Sequence, residues 1–179
     1  MKKFMVLTVL ALACSVYAET FRVEGENLAV QQGKVEIGKH ATAYSNGKVA
    51  LLRSGNTEVA GNYTLEKAGK YEVWVHTFSQ GGNWRKGVLS INGKSLGSFG
   101  DAPSAEGNTP HFYWAKLSPV EIPAGKVEFK VVSAKGYCRV DVIVLTNDEG
   151  FTPPVNMAEL ATVPALPAVK VESAPAPKN

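Results

Sequence analysis

From Phe21 onward, apolar residues recur at every second position far more often than at every third or fourth. Tyr71-Glu72-Val73-Trp74-Val75-His76-Thr77 alternates and is rich in aromatic and β-branched residues, which predicts a strand with Trp74 in the core. Gly87–Ile91 reads as another strand and runs into Asn92-Gly93, a dipeptide suited to a two-residue hairpin turn. Val120-Glu121-Ile122, the turn Pro123-Ala124-Gly125 and Val127–Val132 form the next hairpin. Asn46-Gly47 and Ala68-Gly69-Lys70 punctuate earlier strands. The outermost strands are Phe21–Asn27, with Glu24 and Glu26 two residues apart, and Gly136–Thr146, which carries Asp141. No helical period is sustained in this region and no internal repeat occurs. Short strands separated by Gly, Asn and Pro turns predict an all-β fold, a single antiparallel β-sandwich over residues 19–152 with its terminal strands adjacent.

The two ends read differently. Lys2 and Lys3 precede the apolar run Met5–Ala13, and Val16-Tyr17-Ala18 supplies small residues, the pattern of a signal peptide cleaved after Ala18. The run is too short to span a bilayer, so a membrane span is not expected. A lipid-modified Cys14 is a poorer reading, because Leu12 stands where a small residue is usual. The protein is therefore expected to be exported: periplasmic, secreted or on the cell surface. From Pro153 to Asn179 the chain is Ala/Pro/Val-rich, and repeated Pro predicts a disordered tail, with a short helix conceivable at Met157–Leu160.

Charge and cysteine content narrow the function. The whole chain has 19 basic and 16 acidic side chains; without Lys2 and Lys3 the balance is 17 to 16, or +1. No basic stripe remains, so nucleic acid is not an expected partner, and the chain is read as a monomer. Of the two cysteines only Cys138 lies beyond the predicted cleavage site, so no internal disulfide is expected and Cys138 reads as a small buried hydrophobe.

Tyr-x-Val-x-Val after an Ala-Gly turn, a strand ending in Asn-Gly, a Trp-bearing segment, a second Ala-Gly turn and a closing strand with Asp follow in order. That order, over Phe21 to Thr146, resembles carbohydrate-binding modules of families six and thirty-five. The resemblance implies a galactose-binding-domain-like jelly-roll β-sandwich and a non-catalytic module that binds a polysaccharide or other glycan. In those families, acids at the positions of Glu24, Glu26 and Asp141 hold a structural calcium. Residues two apart on a strand share a face, and Ca²⁺ takes six to eight oxygen ligands, so the pattern suits that ion. The plain alternative is that Glu24 and Glu26 line a solvated edge and Asp141 caps a turn.

Sugar rings offer flat C–H faces to aromatic rings, and their hydroxyls need polar groups at the rim. Expected ligand contacts are Trp84 and Arg85 in the Gly-rich loop, Tyr113 and Trp114 among the aromatics after His111, and Tyr44 before Asn46-Gly47. The resembled families often place a stacking aromatic at the Tyr44 position. Trp84 reads equally well as packing over a sandwich edge. Those families often carry a sugar-binding Asn two residues before the closing Asp; this chain has Arg139. The guanidinium fork suits carboxylate or sulfate, so an acidic polysaccharide is the expected ligand, although Arg139 could equally bridge to a surface acid.

His40, His76 and His111 lack metal-ligand spacing, and no His-Glu-x-x-His or Gly-x-Ser-x-Gly motif occurs. Glu24, Glu26, Asp101 and Asp141 could be paired for glycoside hydrolysis, but no motif singles out two of them. The rival readings are a small polysaccharide-active hydrolase or lyase, and an envelope protein whose sandwich binds another protein.

Overall fold

The computed structural model describes residues 18–39, 42–79, 85–100 and 110–169. The predicted signal segment lies outside the described residues save for Ala18, and so do His40, Trp84, Asp101 and residues 170–179. In chain order the strands are β1 (Thr20–Glu24), β2 (Ala29–Gln32), β3 (Val35–Lys39), β4 (Lys48–Leu52), β5 (Glu58–Leu65) and β6 (Gly69–Ser79). They continue with β7 (Lys86–Ile91), β8 (Lys94–Phe99), β9 (His111–Ile122), β10 (Gly125–Lys135), β11 (Cys138–Val140) and β12 (Val142–Thr146). Pairing is antiparallel in three sheets, ordered β1-β12-β6-β9, β2-β5-β10-β7-β8 and β11-β4-β3. The molecule is an antiparallel β-sandwich, as its alternation predicts.

The central core lies where the alternating faces of the two large sheets meet. Val73, Val75, Ile143 and Leu145 from the first sheet and Leu65, Leu89, Phe129 and Val131 from the second are fully buried. At the hairpin between β7 and β8, Asn92 and Gly93 both have positive φ (49° and 77°), the backbone that Asn-Gly adopts most readily. The first and last strands pair in register, with Arg22 opposite Val144 and Glu24 opposite Val142.

Two predicted strands stop early, for reasons that matter to the site. The chain leaves β1 after Glu24 and enters a 3-10 turn at Gly25–Asn27. A Cβ at Gly25 would stand 2.1 Å from the Val140 carbonyl oxygen, so only glycine permits this close approach of the two chain ends. The turn removes Glu26 from the strand, and the two-residue spacing no longer places it on the Glu24 face. The closing strand is likewise broken at Asp141, which separates β11 from β12 as the chain passes between sheets.

The prediction of a disordered tail from residue 153 is corrected for the described part. Asn156 caps a 3-10 helix, Met157–Thr162, with its side chain accepting from the Ala158 N–H at 3.1 Å. Met157 and Leu160 are buried against Val142 and Val144, with Trp74, Trp114, Phe151 and Val163 packed around them. Trp74 thus packs on the outer face of its sheet, beneath this segment, and not between the sheets. The chain then crosses the β1 edge, where the Arg22 N–H donates to Pro164 O (2.9 Å) and the Leu166 N–H to Arg22 O (3.0 Å). It reaches the other sheet, where Thr64 donates to Pro167 O (2.9 Å) and Val169 to Asn62 O (2.8 Å). Proline cannot donate, but its carbonyl accepts, and the intervening residues supply the donors.

Candidate functional site

Alternation along β6 and β9 sends Trp74, His76 and Phe78 to the outer face, beside their cross-strand partners Lys116, Trp114 and Phe112. The C-terminal segment covers Trp74 and Trp114, and Phe112 remains 37% exposed, one of few large apolar side chains so placed. The Phe112 ring lies 4.8 Å from Phe78 and 5.5 Å from Tyr44, which meets it edge-on. It also lies 5.7 Å from the imidazole of His76, nearly parallel to it. The Arg139 guanidinium sits over the Phe78 ring, 4.1 Å from its centre. The Arg139 carbonyl accepts from Thr77 Oγ1 at 2.6 Å, which fixes β11 against β6. Arg139 Nε is buried without a hydrogen-bond partner among the described residues. The result is an aromatic surface with a cation at its edge.

Behind it lies a buried polar chain. Asp141 is fully buried, and its Oδ2 stands 2.6 Å from His76 Nδ1; a carboxylate accepts, so the imidazole donates. The Ser45 N–H donates to both Asp141 oxygens at 3.1 Å, and Ser45 Oγ reaches Asp141 Oδ1 (3.1 Å) and Glu24 Oε2 (2.5 Å). Arg22 Nη1 pairs with Glu24 Oε1, and Arg22 Nε donates to Val163 O at 2.8 Å. Glu26, turned aside, accepts from Asn46 Nδ2 at 3.1 Å. The chain ends meet here too, through Gly25 N–H to Asp141 O (2.7 Å) and Asp141 N–H to His76 O (3.1 Å).

Of the expected ligand contacts, the structure brings Tyr44 and Arg139 together. Tyr44 itself is 8% exposed, so it backs the surface and does not form its face. Arg85 is buried with its guanidinium 3.5 Å above the centre of the Tyr137 ring. Tyr113 faces the central core, and its hydroxyl accepts from the Gly100 N–H at 2.8 Å. Trp114 packs in the outer cluster and donates from Nε1 to Pro154 O at 3.0 Å. Trp84 lies outside the described residues. The sequence reading missed Phe78 and Phe112. The signal for both was alternation: Phe112 shares the outward face of the His111–Trp114 run with Trp114, and Phe78 follows His76 by two.

The predicted calcium ligands do not fit that ion as they stand. Glu24 and Asp141 do converge, yet every one of their carboxylate oxygens takes a donor from this chain. Glu26 Oε2 is buried without a donor, one oxygen where calcium needs six to eight. Among the described residues no group of three or more His, Cys, Asp or Glu is arranged to hold a metal.

No protein-family model matches the chain, and no curated protein matches it in sequence. Solved structures do. A family 35 carbohydrate-binding module from an environmental isolate superimposes with a TM-score of 0.55 at 16% identity, over 75% of this chain and 97% of that one. The C-terminal family 6 module of LamC, a marine laminarinase from Zobellia galactanivorans, does so with a TM-score of 0.53 at 15% identity, over 72% and 100%. The chain has the fold of these carbohydrate-binding modules. An exo-β-1,3-galactanase from Phanerochaete chrysosporium matches with a TM-score of 0.54 at 19% identity over 71% of this chain, which spans 29% of that enzyme's length. The covered outer face and the open aromatic surface occupy one sheet and meet at the row formed by His76 and Trp114. Among the described residues, no helix is long and apolar enough to cross a membrane.

Proposed function

We propose that the protein is an exported, non-catalytic glycan-binding module that holds an acidic polysaccharide against Phe112, Phe78 and Arg139. The observation that carries this reading is an exposed phenyl ring held edge-on by Tyr44, beside an arginine that no carboxylate pairs among the described residues. The ring offers an apolar face for sugar C–H groups, and the guanidinium offers a planar fork for a uronate carboxylate or a sulfate. The fold supports a glycan as the ligand, since solved proteins that share it include a module of a laminarinase and a family 35 carbohydrate-binding module. Among the described residues, the His–Asp pair beside the surface is His76 with Asp141, which is buried (4% and 0% exposed) and bonded into the joint of the terminal strands. That burial favours a structural role over proton transfer to a substrate. Export rests on the Lys2–Ala18 signal pattern.

The test is retention on immobilised neutral, uronic and sulfated polysaccharides, run with a reducing-sugar assay. The expected result is retention on acidic polymers without release of reducing ends. Phe112→Ala should keep the fold and cost on the order of 2 kcal/mol of binding, roughly thirtyfold in Kd. Arg139→Ala should remove the preference for acidic over neutral polymers. Turnover by the unmodified protein would replace this reading with the enzymatic one.

A further inference from the structure

The feature that glycan binding leaves unused is the buried polar chain where the first and last strands meet. We infer that the Arg22 guanidinium and the His76 imidazole take the place of a metal ion at this joint, so that the fold is locked without calcium. Glu24 and Asp141 are 6% and 0% exposed, and carboxylates so buried are costly unless each oxygen is paired. The pairing is complete from within. Arg22 holds Glu24 Oε1, the Ser45 hydroxyl donates to Glu24 Oε2, the Ser45 N–H reaches both Asp141 oxygens, and His76 Nδ1 holds Asp141 Oδ2.

Arg22 is not a surface side chain that could swing away freely. Its Nε is tied to the Val163 carbonyl, and its own backbone N–H and C=O are hydrogen-bonded to Pro164 and Leu166. The C-terminal segment therefore anchors the cation. An ion seated between Glu24 and Asp141 would have to displace the Ser45 hydroxyl that bridges them, and one that also took Glu24 Oε1 would displace Arg22 and break that anchor. Nor does the joint offer the Asp141 carbonyl, which accepts from Gly25. Glu26, the third acid, has been turned toward Asn46 by the 3-10 turn.

The test is the melting temperature of the chain from Glu19 to Asn179, in chelator and in millimolar calcium, for the unmodified protein, Arg22→Gln and Arg22→Glu. The unmodified protein should melt at the same temperature in both buffers. Arg22→Gln should melt lower in both, by on the order of 5–10 °C, because it leaves a buried carboxylate without its cation. Arg22→Glu, which sets a third carboxylate on the Glu24 face, should be unstable in chelator and recover in calcium by mass action. A melting temperature of the unmodified protein that falls in chelator and returns with calcium would overturn the inference, and so would an Arg22→Gln variant as stable as the unmodified protein. If Arg22→Glu does not fold in either buffer, the other two proteins still decide. The readout is stability, so the result stands apart from whether a glycan binds.

Discussion

Asp141 shows how much one side chain settles. Its carboxylate takes the His76 ring and the Ser45 backbone, and its own peptide groups bridge Gly25 and His76, which ends β11 and starts β12 at a fixed place. The sequence made Asp141 visible as an acid in an apolar strand, but not its partners. Ser45 is twenty-one residues from Glu24 in sequence, and nothing local marks it as their common donor. Cys138, three residues earlier, behaves as its setting predicts. Burial pushes its thiol from 9.0 up to about 12, against a smaller opposing contribution from a Ser133 hydrogen bond. A raised thiol pKa favours the folded state fully below pH 9, and that contribution is lost as the pH climbs toward 12. Stability should therefore fall from about pH 9 upward, and Cys138→Ala should flatten that fall while lowering stability at neutral pH. Urea denaturation at pH 7 and pH 10 checks this; equal losses in both proteins would contradict it. Burial raises Tyr63 and Tyr71 as well, so some alkaline loss should remain in the variant.

Among the elements, those with a strict two-residue period or a turn dipeptide were legible: β6, β7, β10 and the Asn92-Gly93 hairpin. The C-terminal segment was not. Its composition suggests disorder, yet Val163-Pro164-Ala165-Leu166-Pro167-Ala168-Val169 presents Pro carbonyls as acceptors and Leu166 and Val169 N–H groups as donors to two sheet edges. Pairing of that kind depends on edges far away in sequence, so no local pattern encodes it. The segment buries Met157, Leu160 and Leu166, each worth about 1.5–3 kcal/mol against exposure before the entropy of ordering the chain is subtracted. Removing the chain after Thr152 should lower the melting temperature and leave Trp74 and Trp114 wet, which a red shift of tryptophan emission would register. A truncated protein with unchanged melting and emission would show that the segment does not hold the sandwich. The same covering explains the misplaced Trp74 and Trp114: alternation fixes which face a residue takes, not which face will be covered.

At the scale of the whole molecule, the proposed function divides one sheet face between stability and recognition. Its middle is sealed by the C-terminal segment, and its Phe78–Phe112 end stays open, with Arg139 at the rim. At the opposite end of the sheet a cavity of about 630 Å³ lies between Ala18–Phe21 and Thr162–Pro167, bordered by Glu19 and Glu66. Its two acids suit an anionic polymer poorly, and its size alone does not make it the binding site. With a balance of +1 beyond the predicted signal, the molecule as a whole exerts little pull on an anion, so the proposed function rests on Arg139 and the rings beside it. The most direct measurement is a titration of the isotope-labelled protein with a short uronate oligosaccharide, followed by backbone amide NMR. The account predicts shifts gathered at Ser45, Phe78, Phe112 and Arg139, with the sugar unchanged at the end of the titration. Shifts gathered instead around Phe21, Thr64 and Thr162, or a cleaved sugar, would contradict it.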